Sequence, residues 1–70
     1  MIFSMVTVNG DPVEFRQGMV LAEALAQAGI NTEAAMLLTV DNVYADKNDA
    51  VRIAISDNAE IRVMPILSGG

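Results

Sequence analysis

"IFSMVTVNGDPVEF" occupies residues 2–15, and its reading decides the fold. Residues 2–8 are β-branched, aromatic and few, which is the signature of a short strand. Asn9-Gly10 then interrupts. This dipeptide is the strongest short hairpin signal, because a type I′ turn needs φ > 0 at both of its central positions. "PVEF", residues 12–15, is the returning strand. Pro12 cannot donate a ladder hydrogen bond, which places it on an edge strand or at a strand's first residue.

Outward from this hairpin, "QGMVLAEALAQAG" (residues 17–29) predicts a helix. Val20, Leu21, Ala24, Leu25 and Ala28 form one apolar stripe, with Glu23 and Gln27 opposite. Gly29 stands where a C′ glycine ends a helix. The start is poorly marked. Gly18 is only a fair N-cap, and no Ser, Thr or Asp adjoins Met19. "AMLLTV" (35–40) predicts a buried strand, Asp41-Asn42 a turn, and "VYA" (43–45) a short strand. "VRIAIS" (51–56) reads equally as a strand or as an irregular crossing segment. Asp57-Asn58 turns, and "AEIRVMPI" (59–66) is the last strand, with Ile61 and Val63 on one face and Arg62 and Met64 on the other. The order is β-β-α-β-β-β. A single amphipathic helix covers one face of one small sheet, an α+β arrangement.

The chain has 70 residues, is 53% hydrophobic and contains neither Cys nor His. Disulfides and a Cys/His zinc cluster are therefore ruled out, and aliphatic packing must hold so small a domain together. The net charge of −5 argues against nucleic acid and anionic membranes as partners. It suits encounter with a basic protein. Residues 1–8 lack a basic leader region, and Asn9-Gly10 ends the apolar run too early for a membrane span, so a cytoplasmic protein is expected.

The same absences argue against a self-contained enzyme. The commonest general base and the strongest side-chain nucleophile are both missing. Ser4, Ser56 and Ser68 have no His to activate them. Lys47, the chain's lysine, reads as a solvated charge, and its neighbours Asp46 and Asp49 supply too few ligands for a cation, so no metal is expected. No phosphate-binding loop is present.

What remains is "MPILSGG", residues 64–70. Pro65 stiffens the approach, and "MPIL" is apolar where a solvated tail is normally polar. Glycine has no Cβ, so Gly69-Gly70 can thread a narrow slot, and nothing crowds the Gly70 carbonyl carbon. Joined to AMP by another enzyme, that carboxylate becomes an acyl-adenylate. A sulfur nucleophile would convert it to a thiocarboxylate, ionised and nucleophilic at neutral pH. A chain without cysteine can carry sulfur in this way.

These features resemble one family over nearly the whole chain. The "VNG" hairpin, the apolar helix, "VDNVYADKNDA" and the ending "SDNAEIRVMPILSGG" are similar to the β-grasp sulfur carriers of the ThiS and MoaD type, which are ubiquitin-like. The resemblance implies a β-grasp fold: a mixed four- to five-stranded sheet, first and last strands parallel at its centre, one helix on one face. It implies a domain over residues 1–66 and a flexible Gly-Gly tail over 67–70. It implies Gly70 as the adenylated, thiocarboxylate-bearing residue and Gly69 as the residue that keeps the tail slim. Met64, Pro65, Ile66, Leu67 and Ser68 would contact partners. Those partners are an adenylyltransferase of the ubiquitin-activating type, a cysteine desulfurase or rhodanese-type sulfur donor, and an acceptor, either thiazole synthase or the large subunit of molybdopterin synthase. No cofactor is bound, since ATP is consumed on the adenylating enzyme.

The chain departs from the family pattern in places. Gly18-Met19 replaces the usual Thr at the helix start, and Asp57-Asn58 replaces Asp-Gly before the last strand. The length favours the thiamine type, whereas Pro65 is commoner in the molybdopterin type. The balance leans to a thiamine or unspecialised carrier. Two other readings share the pattern: a ubiquitin-like modifier joined to lysines through its last glycine, and a non-catalytic β-grasp interaction module.

Overall fold

Both hairpin signals are realised in the structure, a computed structural model that describes residues 5–66. Strand β1 (Val6–Val8) turns at Asn9-Gly10 into the antiparallel β2 (Asp11–Val13). Asn9 has φ 53° and Gly10 φ 85°, the pair of positive values that a primed turn requires. Val8 pairs with Asp11 and Thr7 with Pro12. In a two-residue hairpin the pair flanking the turn exchanges both hydrogen bonds and the next does not. Pro12 therefore sits where its missing N–H interrupts nothing, on an edge strand. β2 begins and ends earlier than residues 12–15, because Glu14 leaves the ladder and donates its amide to Gln27 Oε1 of the helix at 3.0 Å.

Helix α1 (Leu21–Gln27) is shorter than the 17–29 span of its sequence pattern. Its end follows the glycine signal. Gly29 adopts φ 74°, its amide reaches the Ala26 carbonyl at 3.1 Å, and the Ile30 amide reaches Leu25 at 3.0 Å. These two bonds form a Schellman motif. The start differs from expectation. Gly18, at φ 83°, belongs to the preceding turn, and the N-cap is Val20, whose side chain has no acceptor. Backbone carbonyls from the distant 50–55 segment do the capping: Leu21 donates to Ile53 at 2.8 Å and Ala22 to Ala50 at 3.0 Å. Glu23 Oε1 accepts from the Val20 amide at 3.3 Å, so orphan donors at this end find partners without a local Thr. The 51–56 stretch is thus the irregular crossing segment, with one bridge between Ala54 and Val20.

Strands β3 (Met36–Val40) and β4 (Val43–Ala45) form the second hairpin, turning at Asp41-Asn42 with φ 51° and 69°. A 3-10 turn (Lys47–Asp49) follows, and β5 (Glu60–Pro65) closes the fold. The sheet is mixed and five-stranded, in the order β2-β1-β5-β3-β4. β5 lies at its centre, parallel to β1 and antiparallel to β3. One face is covered: Val6, Val8, Leu38 and Ile61 of the sheet pack with Leu21, Ala24 and Leu25 of α1 in the buried core. Met19 and Ile55, flanking the capping segment, close the core beside the helix start. This is the β-grasp architecture, one helix held by a mixed sheet.

Candidate functional site

The face of the sheet away from the helix is built by register. Leu37 pairs with Met64, Thr39 with both Arg62 and Tyr44, and Thr7 with Glu60, so all of these share the outer face. The face has two ends of different character. At one end Arg62 pairs with Glu60 at 3.4 Å, over a half-exposed surface where such a pair adds little stability. At the other end Leu37, Met64 and Ile66 stand 43, 43 and 48% exposed, and Tyr44, opposite Thr39 on the edge strand, is 74% exposed. Leu37, Tyr44 and Ile66 also line an open groove of about 570 Å³, together with Ala35 and the charged Asp46 and Lys47. Several large apolar side chains exposed together, with a charged rim, mark a contact surface more than isolated ones do.

This apolar end lies where the described chain leaves the sheet. β5 runs to Pro65, and the Ile66 amide extends its pairing by one bond, to the Ala35 carbonyl at 3.1 Å. Of the partner contacts expected from sequence, Met64 and Ile66 lie on the outer patch. Pro65 pairs opposite Met36 on the other side of the strand, exposed at the sheet's end. Leu67, Ser68, Gly69 and Gly70 lie outside the described residues, as do residues 1–4.

Two contributors escaped the sequence reading. The sequence predicts Leu37 in a buried strand and Tyr44 in a short hairpin arm; the register sets Leu37 beside Met64, and Tyr44, opposite Thr39, lines the same groove as Leu37 and Ile66. Lys47 is also more than a solvated charge. Its Nζ donates to the Ala34 carbonyl at 2.7 Å. The acids beside it are engaged in the turn: Asp46 Oδ1 caps Asn48 N at 2.8 Å, and Asp49 pairs with Arg52. Among the described residues no group of three or more His, Cys, Asp or Glu is placed to hold a metal ion. No helix among them is long and apolar enough to cross a membrane.

The fold is thus a β-grasp domain with an apolar patch at the exit of its central strand. Comparison with known proteins agrees. The model of the ThiS family matches residues 6–70, from β1 through the last glycine. The chain therefore belongs to the ThiS family, whose members are small sulfur-carrier proteins and not catalysts. Among solved structures, it is similar to the thiamine biosynthesis protein ThiS from Geobacter metallireducens, at 15% identity and a TM-score of 0.70. That match covers 94% of this chain and 99% of the other, and it concerns the fold. No curated protein matches the chain.

Proposed function

We propose that this protein carries sulfur for thiazole formation in thiamine biosynthesis, on the carboxylate of Gly70. The observation that carries the proposal is the family match, which spans residues 6–70, from β1 to Gly69-Gly70. The position of the apolar patch supports it, since the surface meets the chain where the Gly-Gly segment follows.

The chemistry belongs to the partners. The Gly70 carboxylate attacks the α-phosphate of ATP on an adenylyltransferase, pyrophosphate leaves, and a glycyl-adenylate forms. Sulfide adds to its carbonyl carbon and expels AMP, leaving the thiocarboxylate. Where the donor is instead a persulfide on a cysteine desulfurase or rhodanese-type enzyme, its terminal sulfur expels AMP to give an acyl disulfide, and a second thiol reduces this to the thiocarboxylate and is itself left in a disulfide; thiazole synthase is the acceptor. The carrier's own part is to dock through Met64, Ile66 and their neighbours. Gly69 and Gly70 then enter a slot too narrow for a Cβ. The domain of residues 1–66 is the handle, 67–70 the working arm, and the cytoplasm the compartment.

The test is intact mass measurement after incubation with ATP, sulfide and an adenylyltransferase of this class. One oxygen exchanged for sulfur is expected. Deleting Gly70 should abolish the exchange without altering the unfolding transition. A mass that never changes with any cognate adenylyltransferase overturns the reading. A Gly-Gly remnant on lysines of other proteins would instead identify a modifier.

A further inference from the structure

The segment that receives Ile66 is poorly anchored by its own side chains. Ala34 and Ala35 are both exposed and offer only methyl groups. Hydrogen bonds must therefore fix it. Ala34 donates to the Asn31 carbonyl at 3.3 Å, and Glu33 donates to Asn31 Oδ1 at 3.0 Å, but both contacts are local and move with the loop. Beyond the Ile66 bond itself and the β3–β5 ladder that begins at Met36, a further contact ties the loop to another part of the fold: Lys47 Nζ to the Ala34 carbonyl, at 2.7 Å across 13 residues.

Lys47 itself stands on a firm base. Its turn is closed by Asp49 N to the Asp46 carbonyl at 2.9 Å and by the Asp46 side-chain cap on Asn48. The Lys47 carbonyl accepts from Ala50, a core residue whose own carbonyl caps the helix. The chain of contacts is continuous: core, Ala50, Lys47, Ala34-Ala35, Ile66. A charged donor makes its link stronger than a neutral one would be.

We propose that Lys47 is a positioning residue for the carrier arm. By holding the Ala34 carbonyl it fixes the strand start to which Ile66, the last described residue before the arm, is bonded. This rests on the carrier reading for its purpose, but not for its geometry. An arm root that is already ordered costs less to bind than one that the partner must immobilise.

The test compares Lys47→Met, which keeps the apolar stem and removes the donors, with Lys47→Arg, which restores a donor. Amide hydrogen exchange is followed at Ile66 in the free protein. Lys47→Met should speed exchange at Ile66 while leaving core amides such as Leu25 unchanged, and Lys47→Arg should return it toward the native rate. In pyrophosphate exchange with an adenylyltransferase of this class, Lys47→Met should raise the KM for the carrier about three- to fivefold with kcat retained. A role confined to global stability would speed exchange everywhere and would not produce that split. Native exchange at Ile66 in Lys47→Met, or no recovery in Lys47→Arg, overturns the proposal. If the native protein supports no pyrophosphate exchange at all, the carrier reading fails, and the Ile66 amide still decides whether Lys47 holds the strand end.

Discussion

Asn9 has φ 53° in the first turn, and its Oδ1 accepts the Val63 amide at 2.8 Å. The second contact continues the β1–β5 ladder after β1 has turned away. Thr7 reaches the Ala59 carbonyl and Asn9 the Ile61 carbonyl through their backbones, and the Asn9 side chain takes the next amide. A residue here must tolerate left-handed backbone and also offer an acceptor, a combination that Asn meets well. Asn9→Gly keeps the turn and removes the acceptor, so it should lower stability by about 1 kcal/mol. Asn9→Ala adds backbone strain and should cost about 1–2 kcal/mol more. Urea midpoints at an unchanged m-value would check both steps. Equal midpoints for the two variants would show that the turn carries no strain.

At the scale of elements, the two ends of α1 are built by different means. The C-terminal end is local: Gly29 at φ 74° closes the Schellman motif. A Cβ built there meets nothing within 4 Å, so Gly29→Ala carries strain without a clash. It should cost about 1 kcal/mol and lower the melting temperature by roughly 4–8 °C in a domain this small. Calorimetry would read the shift directly. The N-terminal end is non-local, capped by Ile53 and Ala50. This contrast explains what could be read from the sequence. Asn9-Gly10, Asp41-Asn42 and Gly29 write their backbone requirements into adjacent residues, so the hairpins and the helix end were legible. Val20 as N-cap was not, because the acceptors of the Leu21 and Ala22 amides, Ile53 and Ala50, are remote in sequence and act through carbonyls that every residue possesses. Within the site, the period-2 pattern of β5 places Met64 opposite Val63's face, whereas Ile66 as a partner contact comes from the family resemblance. Leu37, Tyr44 and the Lys47 contact depend on which strands become neighbours, which periodicity alone does not state. The parallel pairing of β1 and β5 came from the family resemblance.

For the whole molecule, the sheet's two faces separate stability from recognition. The covered face holds the core; the outer face holds Leu37, Met64, Ile66 and Tyr44 with little packed on them. Substitution there should leave folding nearly untouched. Leu37→Gln and Met64→Gln are expected to shift unfolding by no more than about 0.5 kcal/mol. Each should weaken the complex with an adenylyltransferase about tenfold if it lies at the centre of the contact. Titration calorimetry paired with urea unfolding would check this, and affinity that stays native in both variants would move the docking surface elsewhere.

The pairing of Thr7 with Glu60 joins strands from opposite ends of the described chain, at the middle of the sheet. Before β5 is present, β1–β2 and β3–β4 are separate hairpins with no strand between them, and two-stranded hairpins are marginal alone. Such long-range closure slows folding relative to a helical domain. On a translating ribosome the fold therefore waits until residues 60–65 have emerged. A nascent chain interrupted before that point has no completed sheet to shield its apolar strands. The topology makes completion of the last strand a condition for folding.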